Sequence, residues 1–219
     1  MFEAALFDMD GLLLDTERVY LRTFLQTATD LKFPHPDLLE GVFQNMVGLR
    51  AKDSDDIMQA EVGQHVDLTR FNTLWKQHTA DALASDIPVQ STVRETLSEL
   101  KLAGVPCAVA TSTRTSFAVE HLDRAGIGSF FDVVIGGEQV SKGKPDPEIY
   151  LSAAEALGMN PIKCAAFEDS NNGIRAAVAS GAKSVQVPDM VPPTEAVRAL
   201  GHVIADDLIS GAQQIGLLT

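Results

Sequence analysis

The stretch Val93-Arg94-Glu95-Thr96-Leu97-Ser98-Glu99-Leu100-Lys101-Leu102-Ala103-Gly104-Val105-Pro106-Cys107-Ala108-Val109-Ala110-Thr111-Ser112 contains the pattern that decides the fold. Val93, Leu97 and Leu100 recur at i, i+4 and i+7, the spacing of one apolar helix face. Gly104 follows, and glycine closes a helix at little cost because it tolerates the left-handed conformation after the last turn. Val105–Ala110 is then a short apolar run of the kind buried on both faces of a sheet. The same order returns downstream: Ile149, Ala153, Ala156 and Leu157 lead through Gly158 to Cys164–Phe167. Val133–Ile135 and Val185–Val187 stand behind Gly126 and Gly181, and Val203–Ala205 completes the series. With Ala4–Phe7 as a first strand, about six strands alternate with helices. Such alternation predicts an α/β fold, a doubly wound, mostly parallel sheet with helices on both faces.

The interval between the first strand and Val105 is too long for one crossover. Residues 16–86 lack strand runs and carry helical patterns, including Val19–Ala28 and Ser54–Glu61. They are expected to form an inserted helical module with joints near Asp15–Thr16 and Asp86–Val89. The sheet domain is then built from residues 1–15 and 87–219.

The whole chain, 219 residues at 45% hydrophobic and 21% charged, has the composition of an ordinary globular protein. Seventeen Lys and Arg stand against 30 Asp and Glu, a net charge of −13. A body this acidic repels polyanions, which argues against nucleic acid or an anionic membrane as a partner, so an anionic substrate must be captured locally. No apolar run approaches the ~18 residues of a membrane span. The first residues carry no basic segment and reach two acids by position 8, unlike a secretory signal. Cys107 and Cys164 each lie in an apolar run and read as buried thiols of a reducing, cytoplasmic compartment. The five histidines show no metal-ligand spacing. Nothing in the sequence speaks for more than a monomer or a weak oligomer.

Open parallel sheets bind ligands outside the carboxyl ends of their strands. Ala4–Phe7 is followed by Asp8, Met9, Asp10 and Gly11, Val105–Ala110 by Thr111 and Ser112, and Cys164–Phe167 by Glu168 and Asp169. Taken singly, each acid pair reads as a solvated strand end or a helix cap. Brought to one edge, four carboxylates repel and call for a cation. All-oxygen ligands favour Mg²⁺ or Ca²⁺, and Mg²⁺ typically combines one or two carboxylates with water and substrate phosphate. Thr111 and Ser112 offer hydroxyls and N–H groups at a strand-to-helix turn suited to an anion. Lys144 precedes Pro145, which favours an extended backbone at the lysine and sets it at the start of a helix near Pro147, although Lys142 competes for the same role. The spacing Asp8-x-Asp10 suggests that one carboxylate attacks phosphorus while the other serves as acid and base.

These residues resemble the haloacid dehalogenase superfamily, in its phosphatase and phosphomutase branch. Asp8-Met9-Asp10-Gly11, running on to Asp15-Thr16-Glu17, is similar to the family's first motif; the resemblance makes Asp8 the nucleophile and Asp10 the general acid/base. Ala110-Thr111-Ser112 resembles the second motif, which binds phosphate, and Lys144-Pro145-Asp146-Pro147 the third, a charge-balancing lysine. Phe167-Glu168-Asp169-Ser170-Asn171-Asn172-Gly173 resembles the fourth. By that likeness Asp8, the Asp10 carbonyl and Asp169 hold Mg²⁺, with Glu168 a further ligand or an orienting group, and segment 16–86 is an α-helical cap. The dehalogenases lack the second Asp, so Asp10 implies phosphoryl transfer. The implied activity is Mg²⁺-dependent hydrolysis of a small phosphorylated metabolite, a sugar phosphate or a nucleoside monophosphate. The alternatives are a β-phosphoglucomutase-like mutase and, remotely, a phosphoryl-receiver domain. Tyr20 stands where the mutase has a histidine. Gly48-Leu49-Arg50-Ala51-Lys52 places an arginine one position early for its cap, which tilts the reading to a phosphatase. Arg50 and Lys52 are candidate substrate-binding residues.

Overall fold

The computed structural model describes residues 2–84 and 87–219. Six strands, β1 (Ala4–Phe7), β2 (Cys107–Ala110), β3 (Val133–Ile135), β4 (Cys164–Glu168), β5 (Lys183–Gln186) and β6 (Val203–Ile204), form one sheet in the order β3-β2-β1-β4-β5-β6. All five pairings are parallel. The doubly wound parallel sheet expected from the apolar runs is therefore present. β1 lies between β2 and β4, so residues about a hundred positions apart in sequence follow adjacent strand ends.

Helices α1 (Thr16–Asp30), α2 (Leu39–Met46), α3 (Ala51–Glu61) and α4 (Leu68–Leu83) fill the interval between β1 and β2 and are followed by α5 (Val93–Leu102). Beyond β2 come α6 (Thr115–Arg124), α7 (Glu148–Ala156), α8 (Asn171–Ala179), a single turn α9 (Glu195–Arg198) and α10 (Leu208–Gln214). The glycines at 104, 126, 158 and 181 all have positive φ, as expected of helix-closing residues. None of the helices is long and apolar enough to cross a membrane among the described residues.

Alternation along β1 divides the core. Ala5 and Phe7 join a cluster with Leu97 of α5, Leu122 of α6 and Leu208 of α10. Ala4 and Leu6 join Tyr150 and Ala153 of α7 and Ile174 of α8 on the other face. Phe7 pairs in register with Phe167 of β4, and their rings stack at 5.1 Å. Helices α1 to α4 bury a separate cluster around Phe24, which meets Phe43, Phe71 and Trp75 at 5.0 to 5.7 Å.

Two strand ends shift from the expected positions for identifiable reasons. β2 begins at Cys107 and not Val105 because Pro106 has no N–H to donate, although its carbonyl still accepts from Ala5 at 3.0 Å. β4 runs one residue further than expected, since Glu168 pairs with Gln186 and its carbonyl accepts from Val187 at 2.7 Å. Beside the expected upstream joint, Leu14 bridges Val89 antiparallel, and Asp15 N–H donates to the Pro88 carbonyl at 2.9 Å. Part of the expected downstream joint, at Asp86, lies outside the described residues.

Candidate active site

The ends of β2, β1 and β4 meet at one sheet edge, the point where the strand order reverses and ligands bind in open sheets. Asp8, the first residue after β1, points to the face that carries α7, and Lys144 reaches it from the loop between β3 and α7. The Lys144 ammonium donates to Asp8 Oδ1 and, at 2.5 Å, to Glu168 Oε1, and all three groups are buried. Glu168 is the last residue of β4. Its side chain follows Ala166 onto the α7 face, beneath the edge, and not outward as an acid beyond the strand would.

Five donors hold the Glu168 carboxylate. Oε1 accepts from Lys144 and from the Tyr150 hydroxyl at 2.8 Å. Oε2 accepts from the Asp169 and Ser170 N–H groups at 3.2 and 3.3 Å and the Ser170 hydroxyl at 3.1 Å. Gly173, in the first turn of α8, makes this packing possible, because a Cβ there would overlap the carboxylate.

Asp169 differs. It is 2% exposed, and its Oδ1 is buried with no hydrogen-bond partner. Gly11 passes so close, with φ +86°, that a side chain there would collide with the Asp169 carboxylate. One oxygen from each of Asp8, Glu168 and Asp169 can be chosen so that all lie within 4.8 Å of one another. Burial pushes the Asp8 carboxyl up to about 8; Lys144 opposes this, while Glu168 and Asp10 add to it. Burial, followed by the charges of Glu17 and Glu168, holds the Asp169 carboxyl well above the usual range. Burial alone would lower Lys144, but the Asp8 and Glu168 charges keep its ammonium above its ordinary value. Acids outnumber the one ammonium, so the cluster attracts positive charge.

Asp10 is half-buried and ringed by hydroxyls. Thr16 donates to Oδ1 at 2.5 Å; Thr113, at 2.7 Å, and Thr111, at 3.4 Å, donate to Oδ2. Tyr20 lies beside it; burial, then the Asp10 and Glu17 charges, holds its phenol well above the usual range. Glu17, in the first turn of α1, is 5% exposed, and its Oε2 is buried without a partner. Burial, then the charges of Asp10, Asp8, Asp189 and Glu168, pushes this carboxyl well up.

The structure thus gathers Asp8, Asp10, Thr111, Lys144, Glu168 and Asp169 at one edge. The Ser112 hydroxyl donates instead to the Gly48 carbonyl at 2.9 Å, bridging to the helical segment. Arg50 is placed away from the acids. Its guanidinium grips Asp53 through two bonds of 2.6 and 3.0 Å, and its remaining donor lies 3.1 Å from the Val140 carbonyl and 3.3 Å from that of Gly137. Lys52 is exposed at the second position of α3. Thr16, Glu17, Thr113 and Tyr150 were not singled out from sequence. Thr16 and Glu17 close the stretch that begins at Asp8, and their place in it is the one sequence signal they carry.

Carboxylates, hydroxyls and a buried lysine converging on the carboxyl edge of a parallel sheet make this chain an enzyme of the α/β class. It belongs to the haloacid dehalogenase-like hydrolase family, whose model matches residues 5–187. A phosphorylated carbohydrates phosphatase of Thermotoga maritima is 33% identical over 183 residues, 84% of this chain and 83% of that one. A HAD family hydrolase of Deinococcus radiodurans R1, solved with bound phosphate and sodium, is 28% identical with a TM-score of 0.78, covering 100% of this chain and 98% of that one. CbbY of Rhodobacter sphaeroides, solved in complex with xylulose-(1,5)bisphosphate, is 27% identical with a TM-score of 0.75 over 94% of this chain and 95% of that one. Family membership sets aside the receiver-domain alternative.

Proposed function

We propose that this protein is a Mg²⁺-dependent phosphatase that hydrolyses a small phosphate monoester of the sugar-phosphate class through an aspartyl phosphate on Asp8. The observation that carries this reading is the buried Asp8–Lys144–Glu168 chain beside Asp169, with Asp10 two residues away in a separate ring of hydroxyls. Residues 1–15 and 87–219 are taken as the catalytic core and 16–86 as its cap.

Asp8 is poised to attack phosphorus as the bond to the leaving oxygen breaks, while Asp10 gives that oxygen a proton. Water then attacks the phosphoaspartate, Asp10 takes its proton, and phosphate leaves with Asp8 restored. Thr111 contributes a hydroxyl and Lys144 a fixed positive charge to the transferring group. Glu168, with both oxygens engaged, orients Lys144. The donor set fits a hard divalent cation: all are oxygens, and Asp169 Oδ1 is buried and unpartnered. Asp8, Asp169 and, from the motif, the Asp10 carbonyl would hold Mg²⁺, which when bound offsets charge on the phosphoryl oxygens.

A mutase needs a grip on a second phosphate, and the Arg50 fork is already engaged by Asp53 and main-chain carbonyls. That favours hydrolysis. The test is phosphate release from a panel of sugar phosphates and nucleoside monophosphates, with Mg²⁺ or with EDTA, by wild type and Asp8→Asn. Wild type should turn over sugar phosphates only with Mg²⁺, and the variant should lose at least about 1,000-fold, as expected when a covalent nucleophile is removed. An Asp8→Asn protein with most of its activity would overturn the proposal.

A further inference from the structure

Tyr150 is a fully buried residue of α7 whose hydroxyl the mechanism above does not use. Its side chain packs with Ala4, Leu6 and Ala153 on one face of the sheet. Packing alone asks only for the ring, which phenylalanine also supplies. The hydroxyl instead reaches the site and donates to Glu168 Oε1 at 2.8 Å, and the Lys144 ammonium stands 5.4 Å from the ring centroid.

That bond matters because Glu168 has two possible tasks. One of its oxygens lies within 4.8 Å of oxygens of Asp8 and Asp169, close enough to join them around a cation. The same carboxylate holds Lys144 at 2.5 Å through Oε1. A carboxylate offers about four lone-pair sites. Oε2 is taken up by the Asp169 and Ser170 N–H groups and the Ser170 hydroxyl, and Oε1 by Lys144 and Tyr150. Asp169 Oδ1, by contrast, has no partner.

We propose that Tyr150 is a positioning residue: its hydroxyl occupies the last open lone pair of Glu168 and commits that carboxylate to Lys144, leaving Asp8 and Asp169 as the carboxylates that face a divalent cation. This rests on the phosphatase reading. The test measures Ca²⁺ and Mg²⁺ affinity by calorimetry, without substrate, in wild type, Tyr150→Phe, Glu168→Gln and the double variant. It is paired with kcat and KM for the best sugar phosphate of the panel above.

Tyr150→Phe keeps the ring and loses only the hydroxyl. Glu168 then has a lone pair for the cation, and the affinity ratio of Ca²⁺ to Mg²⁺ should rise about 10-fold, since Ca²⁺ takes roughly six to eight oxygens and Mg²⁺ keeps several waters. The variant's kcat should fall about 10-fold, the size of a hydrogen bond to a charged group, with KM unchanged, because Lys144 acts on the transferring group. Glu168→Gln alone should leave the cation ratio at its wild-type value, and in the double variant it should cancel the rise.

A Tyr150→Phe protein with either the wild-type ratio or the wild-type kcat, whatever its stability to urea, would overturn the inference and leave Tyr150 a core residue. So would a rise that survives in the double variant, or a wild type that binds neither cation. If Tyr150→Phe does not fold, Glu168→Gln carries the test: an unchanged ratio supports the inference, and a lowered one means that Glu168 already faces the cation beside Tyr150. If wild type releases phosphate from no sugar phosphate, or Asp8→Asn retains activity, the phosphatase reading fails, while the cation ratios still judge Tyr150.

Discussion

The ammonium of Lys144 sits between two carboxylates, and its side chain is buried. Lys144→Ala is expected to abolish phosphate release and to destabilise the fold by about 3–5 kcal/mol, because Asp8 and Glu168 would be left buried without their partner. Urea unfolding beside a phosphate-release assay checks both parts. A variant as stable as wild type would mean that the two acids find other partners. Asp8 and Asp169 were legible because each is an acid placed directly after an apolar strand. Tyr150, Ser170 and Thr113 were not, since their roles depend on how loops fold back on the strand ends. Glu168 was half legible: its place beside Asp169 was plain, but its engagement by five donors depends on β4 extending one residue further than its apolar run.

Between elements, the seam where the helical segment meets the sheet domain turns on one residue of α3's N-terminal turn. Arg50 is fixed by Asp53 and lies on the main chain of the loop that leads to Lys144, while Ser112 and Asn172 donate to the Gly48 and Val47 carbonyls beside it. Gly137 and Gly143 leave room for it, since a Cβ at either would press on the guanidinium side chain. Arg50→Ala and Asp53→Ala should therefore each lower kcat, and the double variant should be no worse than Arg50→Ala alone, because groups that act as one unit are not additive. Fully additive losses, or a KM effect restricted to substrates with a second phosphate, would instead mark Arg50 as a substrate-binding residue. All six strands were readable as apolar runs, with ends displaced where Pro106 withholds a donor or where Glu168 still pairs. The seam was not readable, because a guanidinium that binds carbonyls leaves no trace in side-chain spacing.

At the scale of the molecule, the net charge of −13 is not spread evenly in its consequences. Most of the acids are exposed, whereas Asp8, Glu17, Glu168 and Asp169 are buried together. The Asp8 carboxyl, pushed up to about 8, favours the protonated form in the metal-free fold. Its contribution to stability is complete below the ordinary carboxylate range and is lost as pH rises through about 8. In the proposed Mg²⁺ site, cation binding displaces that proton. The Mg²⁺ concentration for half-saturation should therefore fall as pH rises from 6 to 8, by up to ~10-fold per pH unit for one displaced proton. Calorimetry in two buffers of different ionisation enthalpy should show proton release on Mg²⁺ binding, and a pH-independent midpoint would contradict the assignment.

The two chain crossings at Leu13–Asp15 and Pro88–Gln90 run side by side, tied by the Leu14–Val89 bridge and by bonds from Asp15 to Pro88 and from Gln90 to Leu13. The helical segment therefore leaves and re-enters the sheet domain at essentially one spot. The spacing of the strands is thus indifferent to how much chain lies between the two crossings, while Thr16 and Arg50 still tie that chain to Asp10 and to the loop before Lys144.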